Sequence, residues 1–159
     1  MLPGHLKVCL FRPEIPQNTG NIGRLCAATG SRLLLVRPFG FSEDDKNLLR
    51  PGLDYWPFLD MEIHDSIGGI LDRHSPNVAF FSKNATKTYL SMPPSVDVLI
   101  FGQETCGLPN ELRESHGEYF YKIPMFHEGV RSLNLANAAS IVLYHQMQNR
   151  SLFEDLSNE

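Results

Sequence analysis

Three stretches of the chain combine glycine with small polar residues, and each of them follows a predicted strand. They run from Arg12 to Arg24, from Gly102 to Pro109 and from Met125 to Asn134, and the strand end at Ser82–Lys83 offers a fourth wall. Ligands of parallel sheets bind beyond the carboxyl ends of the strands. Loops of this composition present backbone amides, carbonyls and few titratable groups. We therefore expect a pocket that holds an uncharged nucleoside part of a cofactor through backbone contacts.

The third stretch leads into a run of small residues, from Asn134 to Ser140, at the start of the last predicted helix. Bulk at Cβ keeps two pieces of backbone apart, so this composition indicates a helix start pressed against other backbone. Ser132 or Asn134 can cap the helix, and the backbone N–H groups that follow suit an anion or an electron-rich ligand atom. A plain capped amphipathic helix is the alternative.

Several common enzyme classes lack their signatures here. The chain has no GxxxxGK[ST] motif, and no GxGxxG follows the first predicted strand. The possible nucleophiles Ser132 and Cys106 have no histidine placed by a recognisable motif, although His127 is close in sequence. The three cysteines and six histidines show no metal-ligand spacing. We expect neither a proteolytic triad nor a metal site.

Composition places the chain among ordinary globular proteins. It has 159 residues, of which 42% are hydrophobic and 20% charged. We expect a soluble, cytoplasmic protein, since no apolar run approaches the ~20 residues that cross a bilayer and the N-terminus lacks a signal-peptide core. The net charge of −4 argues against nonspecific coating of nucleic acid but leaves room for a local basic face.

The alternation of predicted strands and helices indicates an α/β fold with a mostly parallel sheet and helices on both faces. No repeat, low-complexity tract or linker is present, so residues 1–159 are predicted to be a single domain. The predicted strands are Leu6–Phe11, Arg32–Val36, Met61–Ile63, Val78–Ser82, Val96–Phe101 and Tyr119–Ile123, and the predicted helices run from Asn18 or Thr19 to Gly30 and over Ile67–Arg73, Asn110–Ser115 and Asn134–Phe153.

Capping and turn residues predict where these elements end. Pro13 and Pro16 are expected to keep the first loop extended. Asn18 or Thr19 then caps the first helix, and Gly30 ends it. The other predicted features are a short polar helix capped by Ser42, a Pro51-Gly52 turn, a helix cap at Ser66 and a polar loop over residues 83–94.

The motifs NTGNIGRLCAATG, LIFGQETCGLP and IPM…RSLNLANA resemble, in order and spacing, the three motifs of the SPOUT class of RNA methyltransferases. The resemblance is closest to the small bacterial tRNA (cytidine/uridine) 2′-O-ribose methyltransferases that act on the anticodon wobble nucleotide. PEIPQNTGNI, GFSEDDK and GLDY agree further, and the resemblance extends to about Gln146. Three separate motifs in the right order make a chance match improbable.

The resemblance implies a fold, a reaction and partners. The C-terminal segment is expected to form a deep trefoil knot, and S-adenosylmethionine to bind there and leave as S-adenosylhomocysteine, without a metal. A homodimer with an active site built from both chains is implied, with the anticodon stem-loop of tRNA as substrate and no membrane. The alternatives are the same reaction at another tRNA site or on rRNA, and a catalytically inactive RNA- or cofactor-binding protein.

The resemblance also assigns roles to residues. Arg24 matches the arginine credited with engaging the ribose 2′-hydroxyl, and because a guanidinium stays protonated we favour positioning and electrostatic stabilisation over general-base catalysis. Ser132 and Asn134 complete the predicted catalytic set. The predicted cofactor-binding residues are Ser82, Gly102, Glu104, Gly107, Ile123, Ser132 and Leu133, and the predicted RNA-binding residues are Asn18, Arg24 and Arg131.

Several of these residues have an ordinary structural alternative. Asn18 can be a helix cap, and Ile123 and Leu133 can be core. Gln103 and Cys106 stand where the family pattern often has Pro and Arg, and the second change removes a basic group beside the cofactor loop. The wider set of possible RNA contacts is Arg12, Arg37, Lys46, Arg50, Lys83 and Lys87, with Tyr55 or Trp56 as stacking aromatics.

Overall fold

A single seven-stranded sheet organises the described part of the chain, residues 6–46 and 54–154 of a computed structural model. Every strand pairs in parallel with its neighbours, in the order β3-β2-β1-β6-β4-β7-β5. The strands are β1 (Lys7–Phe11), β2 (Arg32–Val36), β3 (Met61–His64), β4 (Val78–Phe81), β5 (Lys87–Thr88), β6 (Val98–Phe101) and β7 (Phe120–Lys122), and the helices are α1 (Pro16–Thr29), α2 (Gly68–His74), α3 (Asn110–His116) and α4 (Leu135–Asn149).

Helices cover both faces of the sheet, which confirms the predicted α/β architecture. On one face, α1 and α4 pack through residues such as Ile22 and Leu143, and on the other α2 and α3 pack through Ile70 and Leu112. The central strands read as unbroken apolar runs because both of their faces are buried. In the described residues, no helix is long and apolar enough to span a bilayer.

The first helix begins earlier than predicted. Pro16 is its first residue and Ile15 its cap, without a side-chain hydrogen bond, so the expectation that Pro16 excludes helix is wrong. The first helical position needs no backbone N–H donor, and proline favours it. Asn18 and Thr19 lie inside the first turn and are not caps. Gly30 ends the helix in the left-handed conformation, as predicted.

Other boundaries also differ from the prediction. Ile67, not Ser66, caps α2, and the predicted polar loop over residues 83–94 contains β5 and a 3₁₀ turn, Tyr89–Ser91. A two-residue strand carries no hydrophobic pattern that the sequence could reveal. The predicted polar helix capped by Ser42 is wrong over its first residues, since Glu43 and Asp44 lie in a turn that the Asp45 N–H closes by donating to the Ser42 carbonyl oxygen. The predicted Pro51-Gly52 turn lies outside the described residues.

The last helix is anchored to the segment before β6 by buried side-chain amides. Gln146 is fully buried, and its Nε2 donates to the carbonyl oxygens of Val96 at 2.8 Å and Pro93 at 3.1 Å. Asn149 Nδ2 donates to the Met92 carbonyl at 2.7 Å. These bonds satisfy carbonyls that would otherwise lose their partners away from water. The helix ends at Asn149, four residues short of the predicted Phe153.

We predict that replacing Gln146 with alanine destabilises the protein by about 2–4 kcal/mol, because two carbonyl groups lose their donor and a cavity replaces the amide. Urea unfolding at a fixed protein concentration measures the effect. Gln148→Ala on the exposed face of the same helix is the matched control and is expected to shift stability by less than about 0.5 kcal/mol. Equal effects for the two variants would show that Gln146 is not an anchor.

Candidate functional site

The loops that follow four strands enclose one large cavity at the carboxyl edge of the sheet. Its volume is about 710 Å³, within the range that holds a cofactor-sized ligand. The strand order changes direction between β1 and β6, and the cavity lies beyond this switch point. The predicted site residues that line it are Asn18, Ser82, Gly102, Glu104, Gly107, Ile123, Arg131, Ser132, Leu133 and Asn134.

A continuous hydrogen-bonded chain links three of these loops. Asn134 Oδ1 accepts from the N–H groups of Ala136 and Asn137 and so caps α4, as the sequence predicted. Its Nδ2 donates to Asn18 Oδ1 at 3.0 Å, and Asn18 Nδ2 donates to Glu104 Oε1 at 3.4 Å. Because both ends of the Asn18 amide are engaged and the residue is 6% exposed, this side chain holds the loops together.

A second set of bonds ties the first loop to the loop after β6 in both directions. The Glu104 carboxylate accepts from the backbone N–H groups of Glu14 at 2.9 Å and Ile15 at 3.1 Å. In return the Glu14 carboxylate accepts from the Thr105 N–H at 3.0 Å and its hydroxyl at 2.8 Å. Glu104 therefore braces the loops. Glu14 could not be predicted from the sequence, because a lone carboxylate in a loop carries no pattern.

Gly102 is required by its own loop. A Cβ at this position would lie 2.3 Å from the carbonyl carbon of Gly107 and 2.4 Å from the Leu108 nitrogen. The close approach follows from a tight hairpin in which Gln103 and Gly107 exchange both backbone hydrogen bonds, with Gly107 at φ +70°. The atoms that exclude a side chain at Gly102 belong to residues 107 and 108. The predicted cofactor contact of Gly102 stays a prediction.

Cationic side chains stand at the cavity. Lys83, Arg113 and Arg131 line it and are exposed. Arg113 Nη2 donates to the Asn84 carbonyl at 2.6 Å, which fixes the direction of its side chain. The Glu104 carboxylate faces this group but is already engaged by three N–H donors. The arrangement favours a ligand that carries negative charge at the cavity mouth.

Other predicted RNA contacts lie elsewhere or have partners. Arg37 pairs with Glu43 and Asp65, and Lys87 donates to the Glu118 carbonyl and lies over the Tyr121 ring. The prediction of Tyr55 as a stacking aromatic is wrong, since its ring is 7% exposed and its hydroxyl donates to the Gly20 carbonyl at 3.0 Å. Arg12, Lys46 and Trp56 do not line the cavity, and Arg50 lies outside the described residues.

Arg24 is the one predicted site residue that a single chain does not bring to the cavity. It is exposed on α1, six residues beyond Asn18, which places it about 9 Å further along the helix axis and on a different face. Its charge acts on Tyr55: burial raises the pKa of the Tyr55 hydroxyl, and the positive charge of Arg24 lowers it in part.

The structure offers no metal centre in the residues it describes, as no three His, Cys, Asp or Glu side chains are grouped to hold an ion. Burial raises the pKa values of the Cys9 and Cys26 thiols to about 12, so both stay protonated and act as small core side chains. Cys106 is exposed in the cavity wall, and its Sγ lies 3.0 Å from Gln103 Oε1.

Comparison with known proteins gives consistent matches. The profile of the SpoU rRNA Methylase family matches residues 5–144. A tRNA (cytidine(34)-2′-O)-methyltransferase of Escherichia coli is 42% identical over 142 residues, 87% of this chain and 90% of that protein. A structure described as giving structural insights into the 2-OH methylation of C/U34 on tRNA is 38% identical, with a TM-score of 0.83 over 92% of this chain and 96% of that one. An AdoMet-bound rRNA methyltransferase from Sinorhizobium meliloti is 25% identical, with a TM-score of 0.79 over 91% of this chain and 56% of that one.

We predict that Gly102→Ala destabilises the protein by about 2–4 kcal/mol, since the added methyl group overlaps backbone atoms that cannot rotate away. Gly107→Ala is the matched control: its Cβ meets nothing within 4 Å, so only the positive φ costs about 1 kcal/mol. Thermal and urea unfolding measure both variants. A Gly102→Ala protein as stable as Gly107→Ala would contradict the account of this hairpin.

Proposed function

Because the chain belongs to the SpoU rRNA methylase family, we propose that it transfers a methyl group from S-adenosylmethionine to the ribose 2′-hydroxyl of the wobble nucleotide, a cytidine or modified uridine, in a tRNA anticodon loop. The observation that carries the proposal is the joining of the three loops by the Glu104–Asn18–Asn134 chain around a cofactor-sized cavity. The tRNA substrate is supported by the E. coli relative, which is named for this reaction. Such an enzyme works in the cytoplasm, where tRNA matures.

The cavity fits S-adenosylmethionine in size and chemistry. Ile123, Leu133 and Leu108 provide apolar walls for an adenine ring, and the hairpin at residues 103–107 forms the wall beside a ribose. Ser82 and Gly102 complete the wall on the β4 and β6 sides. The AdoMet-bound relative supports this choice of cofactor. We assign no role to a metal ion.

Methyl transfer demands alignment more than covalent assistance. The bound cofactor supplies a methyl group already activated on a sulfonium. The chain must hold the ribose 2′-oxygen in line and favour loss of its proton. Ser132 and Asn134 lie at the α4 N-terminus beside the cavity and are assigned to the ribose, while Arg131 is assigned to an adjacent phosphate. The N-terminal pole of α4 favours electron density on the attacking oxygen.

A homodimer supplies the missing arginine. In this proposal Arg24 of a second chain reaches the cavity, positions the 2′-hydroxyl and stabilises developing negative charge. The outward face of α4 supports such an assembly, because Ile141 and Tyr144 are 39% and 49% exposed and lie on one side of the helix. Ile15 and Leu133, at 42% and 37%, extend apolar surface to the cavity rim.

The proposal includes a trefoil knot in the C-terminal segment. The half-buried or buried alanines at the start of α4, Ala136, Ala138 and Ala139, permit close passage of backbone. The amide bonds from Gln146 and Asn149 to residues 92–96 would hold the threaded helix in place. A helix threaded through a loop needs small side chains where it passes the loop backbone, and it needs fixed contacts beyond that point.

The reaction is tested by methyl transfer from labelled S-adenosylmethionine into unmodified total tRNA, followed by digestion and mass spectrometry of the nucleosides. The expected product is a 2′-O-methylated cytidine or uridine that maps to the wobble position. A base-methylated product, or methylation at another position, would refute the proposed reaction or substrate. Methyl transfer into rRNA and not into tRNA would show that the substrate is rRNA.

We predict that Arg24→Ala and Ser132→Ala are each at least roughly 100-fold less active than the wild type, and that mixing them restores activity. A mixed dimer carries one site with both defects and one intact site, so random exchange of subunits should restore about a quarter of wild-type turnover. The variants are mixed after mild unfolding and refolding, and methyl transfer is measured.

The control is each variant refolded alone, which should stay inactive. Sedimentation before and after mixing must show dimers. If the mixture gains nothing although mixed dimers form, Arg24 acts within its own chain and the shared site is wrong.

A further inference from the structure

Phe126 is the most exposed large hydrophobic side chain of the described residues, with 98% of its surface accessible. It lies on the rim loop, residues 124–133, which connects β7 to α4. Burial of a phenylalanine side chain stabilises a folded protein, and Phe126 gains none of this stabilisation. Single exposed apolar residues are common, so exposure alone identifies nothing. The residues around Phe126 are therefore needed to assign it a role.

Phe126 lies in the rim loop between residues that line the cavity. Met125, the preceding residue, lines the cavity, and so do Arg131 and Leu133 at the other end of the loop. A local turn fixes the tip: the Gly129 N–H donates to His127 Nδ1 at 3.0 Å, and the Val130 N–H donates to the His127 carbonyl at 3.1 Å. These bonds give the loop next to Phe126 a defined turn, close in sequence to the residues of the proposed methyl-transfer site.

The rim loop and the cavity wall carry both exposed apolar and cationic side chains. Val130 and Leu133 of the rim loop are 49% and 37% exposed, while Lys83, Arg113 and Arg131 bring positive charge. Glu128 is the acidic side chain of the loop, and it is exposed. Surfaces that bind single-stranded nucleic acid combine cations for the backbone with aromatic rings on which bases stack.

We infer that Phe126 stacks on a nucleobase of the RNA substrate beside the methylated nucleotide and so positions the anticodon loop over the cavity. This inference rests on the proposed function. A ribose 2′-hydroxyl is reached in line only when its nucleotide is splayed from the loop stack, and the exposed ring replaces the stacking lost by a neighbouring base. Phe126 also provides the base stacking that was expected of Tyr55, which is buried.

A second copy of the chain is the alternative occupant of this surface. The proposed dimer contact is centred on α4 and reaches the cavity rim at Ile15 and Leu133, without Phe126. Ile141 and Tyr144 lie on α4, whereas Phe126 is on the loop that precedes it. The test therefore separates RNA affinity from oligomeric state. It uses a synthetic anticodon stem-loop of a tRNA that the wild-type protein methylates.

Affinity for this RNA is measured by fluorescence anisotropy for Phe126→Ala, Phe126→Leu and Phe126→Tyr, with cofactor binding measured by calorimetry. Phe126→Ala and Phe126→Leu should weaken RNA binding by about 5- to 150-fold, the range expected for one stacked base, while Phe126→Tyr stays close to wild type. Phe58→Ala removes another highly exposed ring, 77% accessible and away from the cavity, and should change little.

A second arm replaces each loop nucleotide in turn with an abasic one. One abasic position should weaken wild-type binding and have no further effect on Phe126→Ala, because the two changes remove the same contact.

The inference is overturned if Phe126→Leu binds the RNA as tightly as the wild type, or if Phe58→Ala loses as much RNA affinity as Phe126→Ala. It is also overturned if no abasic position couples to residue 126. Variants at residue 126 that change only sedimentation or cofactor binding would overturn it as well. A wild-type protein that methylates no tRNA would overturn the proposed function together with the inference.

Discussion

The side chain of Asn134 joins the start of the last helix to the start of the first. Its oxygen caps α4 by accepting from two backbone N–H groups, and its nitrogen donates to Asn18, whose own amide reaches Glu104. An amide can do both only when its three partners are already in place, so each loop fixes the others. The cavity walls depend on these bonds, because they join the three loops to one another.

Carboxylates have different partners at the cavity and away from it. Away from the cavity, arginines are neutralised by carboxylates: Arg32 pairs with Asp60 and Glu62 at the β2–β3 edge. At the cavity, the carboxylates of Glu14 and Glu104 accept hydrogen bonds from N–H groups of the loops. The cationic side chains of Lys83, Arg113 and Arg131 line the same cavity. A protein of net charge −4 can thus present a surface suited to a polyanion.

The sequence predicted the sheet well and the site partly, for physical reasons. Buried strands such as β6 carry a local hydrophobic signal. Gly30, which ends α1, and Asn134, which caps α4, are also recognisable from the local sequence. Pro16 misled the prediction because proline breaks helices everywhere except at their first turn. Glu14 and the reciprocal bonds were invisible, since they join residues about ninety positions apart. Family resemblance assigned the cavity residues, yet it could not say that Gly102 is forced by residues 107 and 108, or that Arg24 lies apart from the others.

The central claim is that S-adenosylmethionine binds in the cavity formed by these joined loops, and amide hydrogen exchange with and without the cofactor tests it most directly. We predict protection over residues 102–108 and 123–138. A second, smaller cavity of about 120 Å³ lies on the face of the sheet that α2 covers, lined by Lys7, Arg32, His64 and His74. Protection there, or no cofactor-dependent protection of the three loops, would contradict the account.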